Sequence, residues 1–369
     1  MNRWRLLGLL AAALLLLASF NWRWLEAGLL LADLTAGGDA LPGWLREPPQ
    51  RLPGAFPAIP ADLYRPARPM AGIVLVPGLS PHGKDDPLLV AVALALGRAG
   101  FAVAVPDIAD LRQARIAAAD KEPIAAAVAE LLRRPDLAPD GRIGIAAFSY
   151  AVGPAVLAAL KPEIAGQVDF LLLVGGYYSL DRLVGWYTTG ADGEFEVRPA
   201  PWSKWFFLLA NAHRIESPYD EQSLRVLANR RIRDEQAPIE DLLTHLTADG
   251  RAIAELILNR MPARVAGLLA GLPRALGEEL RALDLSRADL SSLKARLLVV
   301  HGRNDGIVPV SHAVALADAA ANADLFLLEN LMHVDMTFDA ADFFTLWQAA
   351  HRLLALRDGT LPSGEARPR

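Results

Sequence analysis

Short runs of consecutive apolar residues recur along the chain, and several of them end at Gly or Pro. Such runs are typical of strands buried on both faces of a parallel sheet. The predicted strands are Ala71–Val76, Phe101–Val105, Arg142–Phe148, Val168–Val174, Arg296–Val300 and Leu325–Leu328. A weaker pattern at Ile59–Tyr64, after a proline-rich stretch, predicts an additional strand at an edge of the sheet.

Helical patterns fill most of the intervals between these strands. The predicted helices are Leu88–Arg98, Pro123–Arg134, Tyr150–Leu160 and Phe338–Leu356. Strands that alternate with helices pair in parallel through right-handed crossovers. The chain is therefore predicted to have an α/β fold with an open, mostly parallel sheet flanked by helices, built from residues 59–180 and 291–357.

The alternation of strands and helices stops at residues 181–290, because this segment contains no convincing buried strand. Helical patterns such as Asp220–Arg233 and Arg251–Leu269 predict a helical cap insertion over the carboxyl ends of the strands. Its first part contains a cluster of aromatic residues, namely Trp186, Tyr187, Trp202, Trp205, Phe206 and Phe207. The cluster is either part of a core or, if the insertion is a lid, a wall of a substrate pocket.

The first 25 residues predict a hydrophobic helix that acts as a membrane anchor or a signal segment. Leu6–Phe20 is almost purely Leu and Ala and follows two arginines. This run spans only about 22 Å as a helix, short of the roughly 30 Å hydrocarbon core, but extension to Trp24 closes the gap. Trp22 and Trp24 would then lie in the far interface of a single-pass anchor, with the main domain on the extracytoplasmic side. The alternatives are a cleaved signal peptide, which would give a secreted protein, and a buried helix.

Residues 26–58 are predicted to be a Pro/Gly-rich linker, and residues 358–369 a disordered tail.

Charge and cysteine content exclude several classes of function. The formal net charge is −5, and no stripe of Lys or Arg is present, which argues against a nucleic-acid partner. The chain contains no cysteine. Disulfides, thiolate metal sites and a cysteine nucleophile are therefore excluded.

The strongest chemical signal is Ser149, which lies where the strand Arg142–Phe148 runs directly into the next helix. A sharp turn of this kind lifts a serine hydroxyl clear of the sheet and directs helix amide hydrogens toward a reacting carbonyl. Strand and helix pass close together there, so the residues two before and two after the serine must be small, and Ala147 and Ala151 meet this requirement. The alternative is that Ser149 only caps the helix.

Asp305 and His333 follow the next two strands along the chain after the insertion. The order Ser, Asp, His places each residue beyond the carboxyl end of a separate parallel strand, where ligands gather in open α/β sheets. A histidine base activates a serine, and a carboxylate holds the imidazole in the correct tautomer. Taken singly, His333 could be an ordinary loop residue and Asp305 a turn cap. The three together predict a catalytic triad.

Other polar residues are weaker candidates. His82, Asp85 and Asp86 are interpreted as a charged loop rim and not as a metal site, because one histidine and two adjacent aspartates rarely converge on one ion. Asp107 and Asp110, which end the second predicted strand, are a backup for the acid.

Taken together, these motifs resemble the α/β-hydrolase family, in particular its dienelactone-hydrolase-like and esterase branches, over Ile59–Leu356. The resemblance is based on Pro77-Gly78-Leu79, on Ala147-Phe148-Ser149-Tyr150-Ala151, on Gly302-Arg303-Asn304-Asp305 and on His333. It implies an oxyanion hole formed by the backbone amides of Leu79 and Tyr150. A serine stands where dienelactone hydrolases proper use cysteine.

The predicted function is hydrolysis of a carboxylic ester through an acyl-enzyme intermediate, with Ser149 as nucleophile, His333 as base and Asp305 as acid. The predicted substrate is a small-molecule or lipid ester, and the chemistry requires no cofactor or metal. The alternatives are a non-catalytic binding or scaffolding protein that keeps the fold, and an interaction module formed by the helical insertion.

Overall fold

A single mixed sheet organises the chain in this computed structural model, which describes residues 22–38, 42–43, 45–191, 197–334 and 340–361. Its strands are Gln50–Leu52 (β1), Ala61–Arg65 (β2), Ala71–Val76 (β3), Phe101–Pro106 (β4), Ile143–Phe148 (β5), Phe170–Val174 (β6), Arg296–Gly302 (β7) and Ala323–Leu328 (β8). The strand order is β1-β2-β4-β3-β5-β6-β7-β8. β1 pairs antiparallel with β2 and β2 antiparallel with β4, and the remaining pairs are parallel. The predicted mostly parallel sheet is confirmed.

Helices cover both faces of this sheet. They comprise residues 22–35 (α1), Pro87–Arg98 (α2), Ala109–Arg112 (α3), Lys121–Leu132 (α4), Val152–Ala159 (α5), Leu180–Thr189 (α6), Ser203–Asn211 (α7), Pro218–Arg233 (α8), Glu240–Leu243 (α9), Ala248–Leu258 (α10), Val265–Ala270 (α11), Arg274–Leu283 (α12), Val310–Ala319 (α13) and Ala340–Arg357 (α14). α4, α5 and α13 bury apolar side chains in one core cluster, and α1, α2 and α14 do so in the other. The sheet is thus the middle layer of three.

The helical insertion comprises α6 to α12 and lies between β6 and β7 in the chain. Its apolar side chains belong to the same core cluster as α4 and α5. The pattern at Arg251–Leu269 forms two helices, α10 and α11, and not one continuous helix. Pro262 begins the 3-10 turn that separates them, because proline has no N–H for a helical hydrogen bond.

The prediction of a single-pass membrane anchor with an extracytoplasmic main domain is wrong as far as the structure extends. Leu6–Phe20 lies outside the described residues. Among the residues that are described, none of the helices is both long and apolar enough to cross a bilayer. Trp24, predicted with Trp22 to lie in the far interface, instead packs on α14. Its ring centroid is 4.8 Å from that of Trp347 and 3.9 Å from that of His351.

α1 occupies the first ten residues of the segment that the sequence assigned to a linker, and a buried ion pair holds it to the end of α14. Arg357 donates from Nη1 to Glu26 Oε1 at 2.7 Å and from Nη2 to Oε2 at 2.8 Å. Arg46 Nη2 donates to the same Oε1 at 2.7 Å. Burial alone would raise the pKa of Glu26, but the hydrogen bonds and charges of the two arginines outweigh it and hold the pKa below its ordinary value. Glu26 is therefore ionised at neutral pH.

We expect Glu26→Gln to destabilise the protein by about 3 kcal/mol, because it leaves the buried Arg357 without its principal counter-charge. Equilibrium unfolding in urea would measure the loss. Glu47→Gln, at an exposed position nearby, is the control and should change stability by no more than about 0.5 kcal/mol. Equal stability of Glu26→Gln and the wild type would show that the ion pair does not hold α1 in place.

Candidate active site

Ser149 lies on a sharp turn between β5 and α5. It opens the 3-10 turn Ser149–Ala151, which continues directly into α5. Its φ of 56° lies in the left-handed region, which is unfavourable for a residue with a side chain. Ala147 and Ala151 are both fully buried, so a methyl group fits at each of these positions. Ser149 therefore has a strained backbone conformation at the junction between β5 and α5.

His333 follows β8, the last strand of the sheet, and reaches Ser149 at the end of β5. Ser149 Oγ lies 2.7 Å from His333 Nε2, and His333 Nδ1 lies 2.8 Å from Asp305 Oδ2. An ionised carboxylate only accepts hydrogen bonds, so Nδ1 carries the proton and Nε2 is free to accept the proton of the serine. The structure thus brings together the three side chains that the sequence singled out.

Two glycines make room for the loop that carries His333. A Cβ atom on Gly302, at the end of β7, would lie 1.8 Å from the carbonyl oxygen of Leu331. A Cβ atom on Gly175, after β6, would lie 3.1 Å from Val334 Cγ1 and 3.4 Å from His333 Nδ1, and Gly175 has a φ of +64°. The loop therefore crosses directly over the ends of two strands to reach the serine.

Asp305 is completely buried, and its carboxylate accepts several hydrogen bonds. Its Oδ1 accepts from the backbone N–H of Ile307 at 2.7 Å and of Val308 at 3.0 Å, while Oδ2 faces His333. Burial raises the pKa of this carboxyl, but the hydrogen bonds from His333 and from the Val308 amide help to hold it below its ordinary value. Asp305 is consequently ionised at neutral pH.

His301, at the end of β7, is a neighbour of the triad that the sequence interpretation missed. It is fully buried, and its Nε2 lies 2.8 Å from the carbonyl oxygen of Val308 and 3.5 Å from Asp305 Oδ2. Burial lowers its pKa, so the ring is neutral and its Nε2–H donates to the Val308 carbonyl. His301 therefore fixes the turn whose amides bind Asp305. A histidine at the end of an apolar strand, four residues before the acid, is the signal that could have identified it.

A cavity of about 210 Å³ opens onto Ser149 and His333. Leu79 and Tyr150, whose backbone amides are the predicted oxyanion donors, both line it. The lining residues are Gly78, Leu79, Ser149, Tyr150, Tyr187, Trp202, Ser203, Phe206, Ile307, His333 and Val334. The cavity therefore lies between the strand ends and the first helices of the insertion.

The aromatic cluster of the insertion divides between core and cavity. Trp186, Trp205 and Phe207 are buried in the core, whereas Tyr187, Trp202 and Phe206 line the cavity.

The Tyr187 hydroxyl links three parts of the site. It lies 2.6 Å from the Tyr150 hydroxyl and donates to the Ile307 carbonyl at 2.8 Å. Burial raises the pKa of both tyrosines, so both stay neutral. This hydrogen-bond chain connects the residue after Ser149, helix α6 and the turn after Asp305.

The remaining candidates from the sequence have other contacts. Asp86 caps α2 through the amides of Leu88 and Leu89, and Asp85 pairs with Arg51. Asp107 pairs with Arg112 at 3.0 Å. Within the described ranges, no group of three or more His, Asp or Glu side chains is arranged to hold a metal ion.

Comparisons with known proteins gave matches by structure only. Neither the protein-family models nor the curated proteins gave a significant match to the sequence. The structure is similar to that of a predicted hydrolase from Legionella pneumophila, with a TM-score of 0.50, 16% identity, and coverage of 80% of this chain and 83% of that one. A hormone-sensitive lipase from a metagenome library gives 0.47 at 17% identity, covering 90% and 91%. Thermogutta terrifontis esterase 2, phosphonylated by sarin, gives 0.46 at 14% identity, covering 83% and 94%. At these identities the likeness concerns the fold alone.

Because Ser149 has a left-handed backbone, we expect glycine to be more stabilising than alanine at this position, the reverse of their usual order in a helix. Ser149→Gly should be more stable than Ser149→Ala by about 1 kcal/mol, because glycine adopts a positive φ without the cost that a Cβ atom imposes. Urea unfolding of the two variants would measure the difference. Ala151→Gly is the control: Ala151 has a φ of −65°, so glycine there should lower stability by about 0.5–1 kcal/mol. If Ser149→Ala equals or exceeds Ser149→Gly, the turn is not strained.

The lowered pKa of Asp305 predicts a pH-dependent contribution to stability. An ionised carboxyl whose pKa falls on folding contributes stability above its ordinary pKa of 3.8, and this contribution is lost as the pH falls through the folded value. Asp305→Asn should therefore cost about 1–3 kcal/mol at pH 7, and the difference from the wild type should shrink below about pH 4. Urea unfolding at pH 7, 5 and 3 would test this. A difference independent of pH would mean that the charge of Asp305 does not stabilise the fold.

Proposed function

We propose that this chain, which has the α/β-hydrolase fold, is a serine hydrolase that cleaves a carboxylic ester through an acyl-enzyme intermediate. The observation that carries the proposal is the unbroken series of hydrogen-bonding distances from Ser149 Oγ through His333 to Asp305, 2.7 Å and 2.8 Å. Hydrogen-bond reach between nucleophile, base and orienting carboxylate is what nucleophilic catalysis by serine requires. The adjoining cavity provides space for a small ester.

In the acylation step, Ser149 Oγ attacks the ester carbonyl while its proton moves to His333 Nε2. Asp305 stabilises the imidazolium that forms, because it accepts the hydrogen bond from Nδ1. The carbonyl oxygen gains negative charge, and the backbone N–H groups of Leu79 and Tyr150 would donate to it. His333 then gives its proton to the alcohol as the C–O bond breaks. The acyl group remains bound to Ser149.

Deacylation repeats these steps with water as the nucleophile. His333 accepts a proton from water, which attacks the acyl carbonyl, and then returns a proton to Ser149 Oγ as the acid leaves. Asp305 remains ionised throughout, which agrees with its lowered pKa. Each proton transfer in the two steps therefore passes through His333.

A fluorophosphonate probe and p-nitrophenyl acetate would test the proposal. The wild type should be labelled and should hydrolyse the ester, because the probe reacts with an activated serine. Ser149→Ala should abolish labelling, and Ser149→Ala and His333→Ala should each lower kcat by about 10⁴–10⁶-fold. Ser291→Ala and His245→Ala, at exposed positions, are the matched controls and should behave like the wild type.

Asp305→Asn should lower kcat by about 10³–10⁴-fold without preventing folding, because the amide no longer favours the productive tautomer of His333. A circular dichroism spectrum would verify that each variant is folded. If the folded wild type neither reacts with the probe nor hydrolyses the ester, the proposal fails, and a non-catalytic binding protein becomes the better account.

A further inference from the structure

A deeper apolar space adjoins the candidate active site. The cavity at Ser149 shares Gly78, Leu79 and Val334 with a second cavity of about 120 Å³. This second cavity in turn shares Val92, Phe148 and Val334 with a third cavity of about 100 Å³. Phe148 precedes the nucleophile and Val334 follows the base. The three cavities thus form a series that begins at the reacting atoms and continues into the layer between the sheet and its helices.

The third cavity, which we call the inner cavity, is lined by apolar side chains alone. Leu30 and Leu34 of α1 contribute to one wall, and Leu346 and Ala350 of α14 to another. Val174, at the carboxyl end of β6, belongs to the sheet side. A space lined in this way offers almost no hydrogen-bond partner to water, and apolar cavities of roughly 150 Å³ stay dry and bind small apolar guests.

We propose that the inner cavity binds the acyl chain of the substrate, so that the preferred substrates are esters of medium-length, unbranched fatty acids. The inference rests on the proposed function, because it assigns the carbonyl of that acyl group to Ser149. A hydrocarbon chain gains favourable free energy for each methylene that it transfers from water to such a surface. It also fills space that would otherwise leave the lining side chains without contacts.

The acyl group fits this position better than the alcohol. The alcohol leaves after the first chemical step, whereas the acyl chain stays covalently attached through deacylation. A chain held in the inner cavity therefore holds the carbonyl in position for attack by Ser149 and then by water. The alcohol portion would face the part of the site cavity that Trp202 and Phe206 line.

A series of p-nitrophenyl esters from acetate to laurate, used below their solubility limits, would test the proposal. We expect kcat/KM to rise roughly two- to fourfold for each added methylene, as burial of a CH₂ group predicts, and then to level off when the cavity is full. A second series, in which acetate is joined to alcohols of increasing length, should show a much smaller rise. A flat or falling acyl series, or a rise confined to the alcohol series, would overturn the assignment.

Two variants of α14 change the size of the inner cavity in opposite directions. Ala350→Phe should reduce the ratio of kcat/KM for decanoate to that for acetate by at least tenfold, because the ring occupies the path of the chain. Leu346→Ala should move the optimum to a longer acyl chain, and it remains a test if Ala350→Phe does not fold. Ala282→Phe, at an exposed position of α12, is the matched control and should leave the ratio unchanged. An unchanged optimum in both cavity variants would exclude the inner cavity as the acyl site.

Labelling by the fluorophosphonate probe distinguishes failure of the acyl-chain proposal from failure of the proposed function. If the wild type is labelled and hydrolyses acetate but shows no dependence on acyl length, only the acyl-chain proposal fails. If the folded wild type is neither labelled nor active on any ester of the series, the proposed function fails and the acyl-chain proposal fails with it.

Discussion

The parallel pairing of β5, β6, β7 and β8 is the constraint on which the site depends. It brings the loops after these strands to one edge of the sheet and fixes their separation at about 4.8 Å per strand. Ser149 follows β5 and His333 follows β8, so the two residues begin three strands, or about 14 Å, apart. The loop after β8 must therefore run back over β7 and β6. The close approach of Leu331 to Gly302, and of Val334 to Gly175, shows that glycine at both strand ends permits this path.

Much of this arrangement could be predicted from the sequence, because its signals are local. Continuous apolar runs identify strands buried on both faces, and a residue that follows such a strand must lie at the carboxyl edge of the sheet. The placement of Ser149, Asp305 and His333 at this edge is predictable for this reason. The path of the loop back to Ser149 is not, because it depends on the register of strands far apart in sequence. His301 was missed because its signal is weak: its position four residues before Asp305 suggests a role, but the group that its ring faces depends on the fold of the turn between them.

The amino-terminal region shows a different limit of prediction from the sequence. Local composition suggested a linker from residue 26, yet residues 22–35 form a helix. Its position depends on Glu26 and Arg357, which are separated by 331 residues, and no local pattern reveals a pair of that kind. The short strand β1 was missed for a related reason, since three residues among prolines show little periodicity. In the insertion, the aromatic residues divide between core and cavity according to the direction in which each helix presents them.

The contact between α1 and α14 also constrains how the chain is made. At a synthesis rate of roughly 5–20 residues per second, the 331 residues between Glu26 and Arg357 take about 15 to 65 seconds to emerge. During that interval Leu30 and Leu31, which are buried in the finished protein, lack the part of their surroundings that α14 supplies. The sheet between them can form strand by strand as it is synthesised. The packing of α14 on α1 therefore has to wait until synthesis reaches residue 357, and a nascent chain that stalls before α14 leaves this part of the apolar surface of α1 uncovered.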